Sequence, residues 1–503
     1  MLHAMQFVGI EIGIHATHAV VVDLDSARTI AEASVSHSWI EGLPSGYREQ
    51  DPAKWINAVD ETVRNCLAQE GVDRKQIAAL GIAGPQRGTV ILDDQHRIIR
   101  PTKVSGDISV QKQTDEIARA FGGAPGLLEL IGQVPPLGST ASECLWLKQH
   151  EPYHYQRIDA VLSVQDFIAY WLTGERATEP GSASTTGFLD IRTKTWSEEM
   201  IHFVDPELEA KLPTIGASDQ ARGLLRAALA KQWGLSDLVQ VGAGSSAPLL
   251  SSLAAGCVKE GSVLIELGIT SSIIGVDSKP VIDLRDEILP LCSATDSWAG
   301  IACSLNTSIA TEAIKRHYGW STANYEQMVG SVSPGADGLL LLPYFSAETI
   351  PKLNEGCGVL HGMNPTNFTP AHLARATAEG VIFGLSYAMS RLREMGFQPD
   401  EIKFIGNTTH NSVTSQMLAD ALGTPLKPIH SEKGAAIGAA MQAAVAFFHN
   451  CGESLGYEEL CSYLVQENPE KIWEPNEENH QLYLDLMARQ QYLVDTLHPA
   501  GFL

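Results

Sequence analysis

The chain has 503 residues, 44% hydrophobic and 19% charged, with a formal net charge of -24 from 35 Lys and Arg against 59 Asp and Glu. That is too long for one hydrophobic core and too apolar for disorder, so two or more globular domains are expected. An acidic surface repels phosphate backbones and anionic lipid, which argues against nucleic acid and membrane partners. No apolar run reaches the length of a bilayer span. The eight cysteines are scattered without a CxxC pair, and Met1 to Ile10 lacks the basic, apolar and cleavage regions of a signal peptide. Reduced thiols in a cytoplasmic protein are expected.

The chain opens with two β-rich runs, Phe7 to Ile14 and Ala19 to Leu24, separated by small residues as in a hairpin. Asp51-Pro52 then reads as an N-cap followed by proline at the first helical position. Trp55, Ile56, Val59, Val63 and Leu67 continue it at helical period. Ile77 to Gly84 is an apolar run ending in glycine, a buried strand entering a loop. Thr89 to Leu92 with Asp93-Asp94 suggests another hairpin. A second opening comes late: Ile265-Glu266-Leu267-Gly268-Ile269 nearly repeats Ile10-Glu11-Ile12-Gly13-Ile14, about 255 residues on. This implies two related domains, each starting with the same hairpin and meeting near Val239 to Gly261. Further on, Gly338 to Tyr344 reads as a buried strand and Ala371 to Gly396 as a long amphipathic helix. Glu401 to Gly406 is a strand entering the polar loop Asn407 to Asn411, with a helix from Ser412. Gly434 to Ala440 is a helix whose small residues admit close approach. Gln481 to Leu497 reads as a peripheral helix. No GxxxxGK[ST] or GxGxxG motif occurs, and His15 and His18 have no third ligand at credible spacing, so no metal site is read there.

Landmarks in series carry a resemblance. Asp51-Pro52-Ala53-Lys54-Trp55, Arg100-Pro101, Trp146-Leu147-Lys148, Leu172-Thr173-Gly174-Glu175, Leu342-Pro343-Tyr344 and Gln416 to Asp420 fall in the order and spacing of one family. From about Phe7 to Ala444 the chain resembles the FGGY carbohydrate kinases, xylulokinases foremost. The resemblance implies an α/β fold of two ribonuclease-H-like domains, of the actin and hexokinase type, around a central cleft. Expected domains are 1–244 on the sugar side, 245–450 on the nucleotide side, and a helical extension over 451–503. It implies ATP and magnesium as cofactors, a ketopentose as the small-molecule partner, and phosphorylation of D-xylulose to D-xylulose 5-phosphate as the family reaction. It admits a homodimer.

Several chemical positions depart from that family. Its catalytic Asp follows a glycine run that matches Gly242 to Leu250 here; anchored on Gly256, the Asp position falls on Ala247. No Asp or Glu occurs from Leu238 through Val258. The phosphate and magnesium candidates are Glu11, Gly13, Gly268 and Thr270. Ile14 and Ile269 stand where the family has hydroxyls, so ATP binding is expected to be weak. Glu11 and Glu266 read equally as the exposed face of alternating strands. Adenine candidates are Gly406, Asn407, Asn411 and Gly434, with side chains where the family has glycines. On the sugar side the candidates are Gln86, Arg87 and Asp107. Arg87 replaces a family His and reads either as an anion-binding fork or as a surface Arg; Asp107 reads either as a ligand or as a turn residue. The segment Ser346 to Pro351 lacks the Gly, Arg and Thr of the family pattern. The expectation is a sugar kinase relative with reduced or absent activity. The alternatives are a non-catalytic sugar or sugar-phosphate binding protein, or a pentulose kinase with a displaced base.

Overall fold

The computed structural model describes residues 5–268, 270–406, 412–429, 433–465 and 471–503. The first sheet is built from β1 (Gln6–Ile12), β2 (Ala16–Asp23), β3 (Arg28–Ser36), β4 (Ile77–Gly84), β5 (Gly223–Leu224) and β6 (Gln240–Val241), in the order β5-β6-β4-β1-β2-β3. A short strand, β7 (Ser245–Ser246), adds to the carboxyl end of β4. The helix α1 (Pro52–Leu67) covers one face. Asp51 caps it by accepting from Ala53 N, and Trp55, Val59, Val63, Cys66 and Leu67 are buried beneath it. Strand alternation puts Val8, Ile10 and Ile12 of β1 on that face, and Phe7, Gly9 and Glu11 on the other.

The second sheet contains β8 (Val263–Leu267), β9 (Ser271–Asp277), β10 (Leu289–Cys292), β11 (Trp298–Ser304), β12 (Ile402–Gly406) and β13 (Leu426–Pro428), ordered β10-β11-β9-β8-β12-β13. The near-repeat in the sequence is a duplication in space. In each sheet the repeated strand pairs antiparallel with the next strand through a tight turn and parallel with a later one: β1 with β2 and β4, β8 with β9 and β12. Glu11 and Glu266 occupy equivalent positions, near the carboxyl ends of the repeated strands.

Two helices lie between the sheets: α2 (Ala247–Ala254) and, after α3 (Pro370–Glu394) and α4 (Ser412–Leu422), α5 (Gly434–Asn450). One buried cluster joins Phe7 and Val20 of the first sheet, Leu250 of α2, Leu264, Ile274 and Ile301 of the second sheet, and Ala436, Ala440 and Phe448 of α5. Helix α5 reaches the first sheet because three neighbouring strands present glycine. A Cβ on Gly9 would stand 1.8 Å from the Ala436 carbonyl oxygen, one on Gly81 1.8 Å from that of Ala439, and one on Gly242 2.9 Å from Ala443 Cα. On the helix's other side a Cβ on Gly438 would stand 1.9 Å from the Leu250 carbonyl oxygen. The small residues of Gly434 to Ala440 thus serve the close approach that they suggest.

Two elements have partners that the sequence does not show. Thr89 to Leu92 turns back at Asp93 into the expected hairpin, with Leu92 bridged to Ile98, and its other edge pairs with Ala160–Ser163, far along the chain. The tail helix α6 (Glu477–Leu497) is the expected surface helix, packed by one narrow stripe. It buries Tyr483, Leu486, Gln490 and Val494, and the Tyr483 hydroxyl bonds to Arg375 and Glu379 of α3. Alternation of exposed polar residues around that narrow stripe hides it in the sequence. Among the described residues no helix is long and apolar enough to cross a membrane.

The glycine row gives a first prediction. Gly81→Ala should lower stability by more than about 3 kcal/mol, because helix backbone rather than a flexible side chain must move. Gly384→Ala, in α3 with nothing within 4 Å of the added carbon, should gain about 0.5–1 kcal/mol. Urea unfolding midpoints of the two variants check the contrast.

Candidate functional site

The carboxyl ends of β1, β4, β8 and β12 open on one cleft, where parallel strands of α/β sheets generally place their ligands. Glu11 and Glu266 meet there. Burial raises both carboxyls above the usual carboxylate range, and the Glu11 charge adds to the rise at Glu266, which is pushed up to about 7. Lys433, immediately before α5, draws Glu11 back down and lies 3.3 Å from His18 Nδ1. Its place follows from the glycine row. Ala436 sits on Gly9, so the residue one turn earlier in the helix reaches Glu11, two residues further along β1. Gly13 closes its turn by donating to Ala16 O, and Ile14 stands exposed at the tip. Gly268 and Thr270 are exposed at the equivalent turn.

Gly406 closes β12 with φ +136°, and a Cβ there would stand 2.2 Å from the Leu267 carbonyl oxygen, so only glycine fits. Gly434 is buried as the first residue of α5. Ile269, Asn407 and Asn411 lie outside the described residues.

The turn that the resemblance marks for the base is built from β7 and the start of α2. Ser245 and Ser246 form β7 against Ala83 and Gly84, and Ala247 begins α2. Ser246 stands at the N-cap, yet its Oγ is buried without a partner; Ala247 is half-buried. The carboxylate bonded to this turn is one the sequence reading did not single out. Glu179 accepts from Ser245 Oγ at 2.8 Å, from Ser218 Oγ at 2.9 Å, and from Gly181 N and Ser182 N. It is fully buried, and burial raises its carboxyl. Four donors engage its two oxygens, so it supports the turn from below instead of facing the cleft.

Of the sugar-side candidates, Arg87 joins the cleft and Asp107 is engaged elsewhere. Arg87 follows β4 and faces Cys303 on β11 of the other sheet. Gln86 beside it has a buried Nε2 without a partner. The Asp107 carboxylate accepts from Arg48 N at 2.7 Å, Ser109 N at 2.9 Å and Ser109 Oγ, with Lys103 Nζ at 3.6 Å. Its charge is satisfied within the first half of the chain. In the Ser346 to Pro351 segment, Glu348 accepts from Ser304, Leu305, Asn306 and Thr349 and ties the segment to the end of β11.

This architecture has recognisable relatives. Residues 6–251 match the N-terminal domain, and residues 292–447 the C-terminal domain, of the FGGY family of carbohydrate kinases. The chain belongs to that family and has its two-domain, actin- and hexokinase-like fold. It is 28% identical over 443 residues to the xylulose kinase of Haemophilus influenzae, covering 87% of this chain and 90% of that one. The xylulose kinase of Bacillus subtilis is 27% identical over 474 residues, covering 92% and 94%. The solved xylulose kinase of Rhodospirillum rubrum superposes with a TM-score of 0.88 at 26% identity, covering 98% of this chain and 99% of that one. A glycerol kinase of Plasmodium falciparum with ADP shares the fold alone, with a TM-score of 0.87 at 16% identity, covering 97% of each chain.

Family members use ATP and magnesium. Glu11 and Glu266 fit the metal: they are hard oxygen donors at equivalent ends of the repeated strands, near enough for the charge of Glu11 to act on Glu266, in the one-or-two-carboxylate pattern by which magnesium joins a protein to phosphates. Among the described residues no group of three or more His, Cys, Asp or Glu is arranged to hold an ion without such a ligand.

The raised Glu266 carboxyl sets a pH dependence. A carboxyl raised in the folded state favours folding at low pH, and that contribution is lost as pH climbs through its folded value of about 7. Glu266→Gln should therefore raise the thermal midpoint at about pH 8.5 by a few degrees and leave it nearly unchanged at about pH 5. Thermal unfolding at the two pH values checks the sign.

Proposed function

We propose that this chain is a xylulokinase-like sugar kinase relative that keeps a sugar cleft and has reduced or absent phosphoryl transfer. The observation that carries this reading is the turn from β7 into α2. Ser245, Ser246 and Ala247 occupy it, no carboxylate occurs from Leu238 through Val258, and the one carboxylate bonded to it, Glu179, is buried beneath four donors.

Transfer to a sugar hydroxyl requires the hydroxyl proton to leave as the bond to phosphorus forms. A positioned base contributes about 10²–10⁴ in rate, equivalent to roughly 3–5 kcal/mol of barrier. Neither a serine hydroxyl nor alanine accepts that proton near neutral pH. Positioning in the cleft still supplies part of the acceleration. Glu11 and Glu266 would hold magnesium with the phosphates of ATP, and that ion would neutralise charge on the transferring group. Ile14 at the hairpin tip offers no hydroxyl to a phosphate, which supports weak nucleotide binding.

One observation favours a second reading, a pentulose kinase with a displaced base. Glu266, pushed up to about 7, has the proton affinity that suits a general base at neutral pH.

ADP release with D-xylulose distinguishes the readings. The native chain should turn over at least about 100-fold below the ordinary enzyme range of 1–10³ per second. Ser246→Asp, which fills an N-cap where Asp is favoured, or Ala247→Asp should raise the rate at least about tenfold. A native chain already in the ordinary range would overturn this reading, and loss of activity in Glu266→Gln with magnesium and nucleotide affinity unchanged would favour Glu266 as the displaced base.

A further inference from the structure

Arg87 is half-buried beside Cys303 of the other sheet and, among the described residues, is a cation without a counter-ion: its guanidinium makes no hydrogen bond or ion pair with any of them. The ionisable group that faces it is the Cys303 thiol, which burial pushes up to about 11, so it is neutral at physiological pH. Burial correspondingly lowers the Arg87 pKa. The nearby carboxylate of Glu348 takes its donors from Ser304, Leu305, Asn306 and Thr349, none of them from Arg87.

The second observation is Gln86. Its Nε2 is buried and unpartnered immediately beside Arg87, and a buried amide donor is ordinarily satisfied. The Thr349 hydroxyl donates to the Cys303 carbonyl oxygen, and the Ser346 to Pro351 segment brings no cation of its own.

A planar guanidinium presents paired donors that match a carboxylate or a phosphate, and such charge-assisted bonds are about twice as strong as neutral ones. A neutral sugar leaves that fork unmatched. We infer that the cleft selects an anionic sugar, carboxylated or phosphorylated, whose charged group is held by the Arg87 fork with the Gln86 amide as a second donor. This rests on the reading of the cleft as a sugar site and narrows its ligand class.

Calorimetry on the full chain with a ketopentose, a five-carbon sugar acid and a five-carbon sugar phosphate tests it. The native chain should bind one of the anions at least about tenfold tighter than the ketopentose, since a hydrogen bond to a charged group contributes about 1.5–3 kcal/mol. Which anion prevails identifies the source of the charge. Arg87→Met should lose about 10–100-fold for that anion and nothing for the ketopentose. Arg87→Lys should retain part of the preference, and Gln86→Leu should lose less than Arg87→Met. Matching circular dichroism spectra establish that the variants are folded. Equal or tighter binding of the ketopentose by the native chain overturns the anion assignment alone, as does undiminished anion affinity in a folded Arg87→Met. Failure of all three sugars to bind overturns the sugar-site reading with it.

Discussion

Helix α5 lies on bare backbone. Gly9 on β1, Gly81 on β4 and Gly242, just past β6, stand side by side, and any side chain there would collide with the helix's main chain. Gly438 lets α2 press on the same helix from the other side. The two sheets therefore share one core instead of meeting at a polar interface, with Phe7, Leu264 and Ala440 in a single cluster. The placement of the cleft follows from this contact. The depth at which Ala436 meets Gly9 decides where Lys433 stands, and so which charge Glu11 sees. The amino end of α5 and the carboxyl ends of β1 and β8 then converge without a long loop to bring them together.

The electrostatics of the cleft divide by side. At the hairpins, the charge of one carboxylate acts on the other and Lys433 acts on the first, an arrangement that favours a bound cation or a retained proton. At Arg87, a guanidinium faces a neutral thiol, an arrangement that favours an anion. In a chain of net charge -24 an uncompensated cation inside a cleft runs against the overall field. Such a local reversal concentrates anionic ligands where bulk charge alone would repel them. At the turn from β7 into α2 stand hydroxyls and a methyl, and the carboxylate that supports it, Glu179, is buried among its donors.

Elements governed by strand alternation were legible in the sequence. The pairing of Glu11 with Glu266 is visible as a repeated five-residue run because both strands need the same apolar face, the same polar inner position and the same turn glycine. The small-residue run after Gly434 announces close packing, although not what packs there, since the three glycines that receive it are spread over more than two hundred residues. Lys433 and Glu179 were not legible: each acquires its role from a partner remote in the chain, and neither lies in a motif. Asp107 shows the converse. Its place in a polar loop suits a ligand and a turn equally, and the structure shows its oxygens bonded to Arg48 and Ser109. Helix α6 reads from the sequence as a surface helix, and only its buried stripe is hidden there, because Tyr483 and Gln490 pair with buried polar groups that no local pattern reveals.

On the proposed function, the cleft binds nucleotide and sugar without transferring phosphate efficiently. Phosphorus NMR on one sample of the protein with magnesium, ATP and either D-xylulose or a five-carbon sugar acid observes both properties together. Saturable broadening of the nucleotide resonances should appear at millimolar concentration while no sugar phosphate resonance accumulates over hours. A sugar phosphate resonance growing within minutes at catalytic amounts of protein would contradict the account.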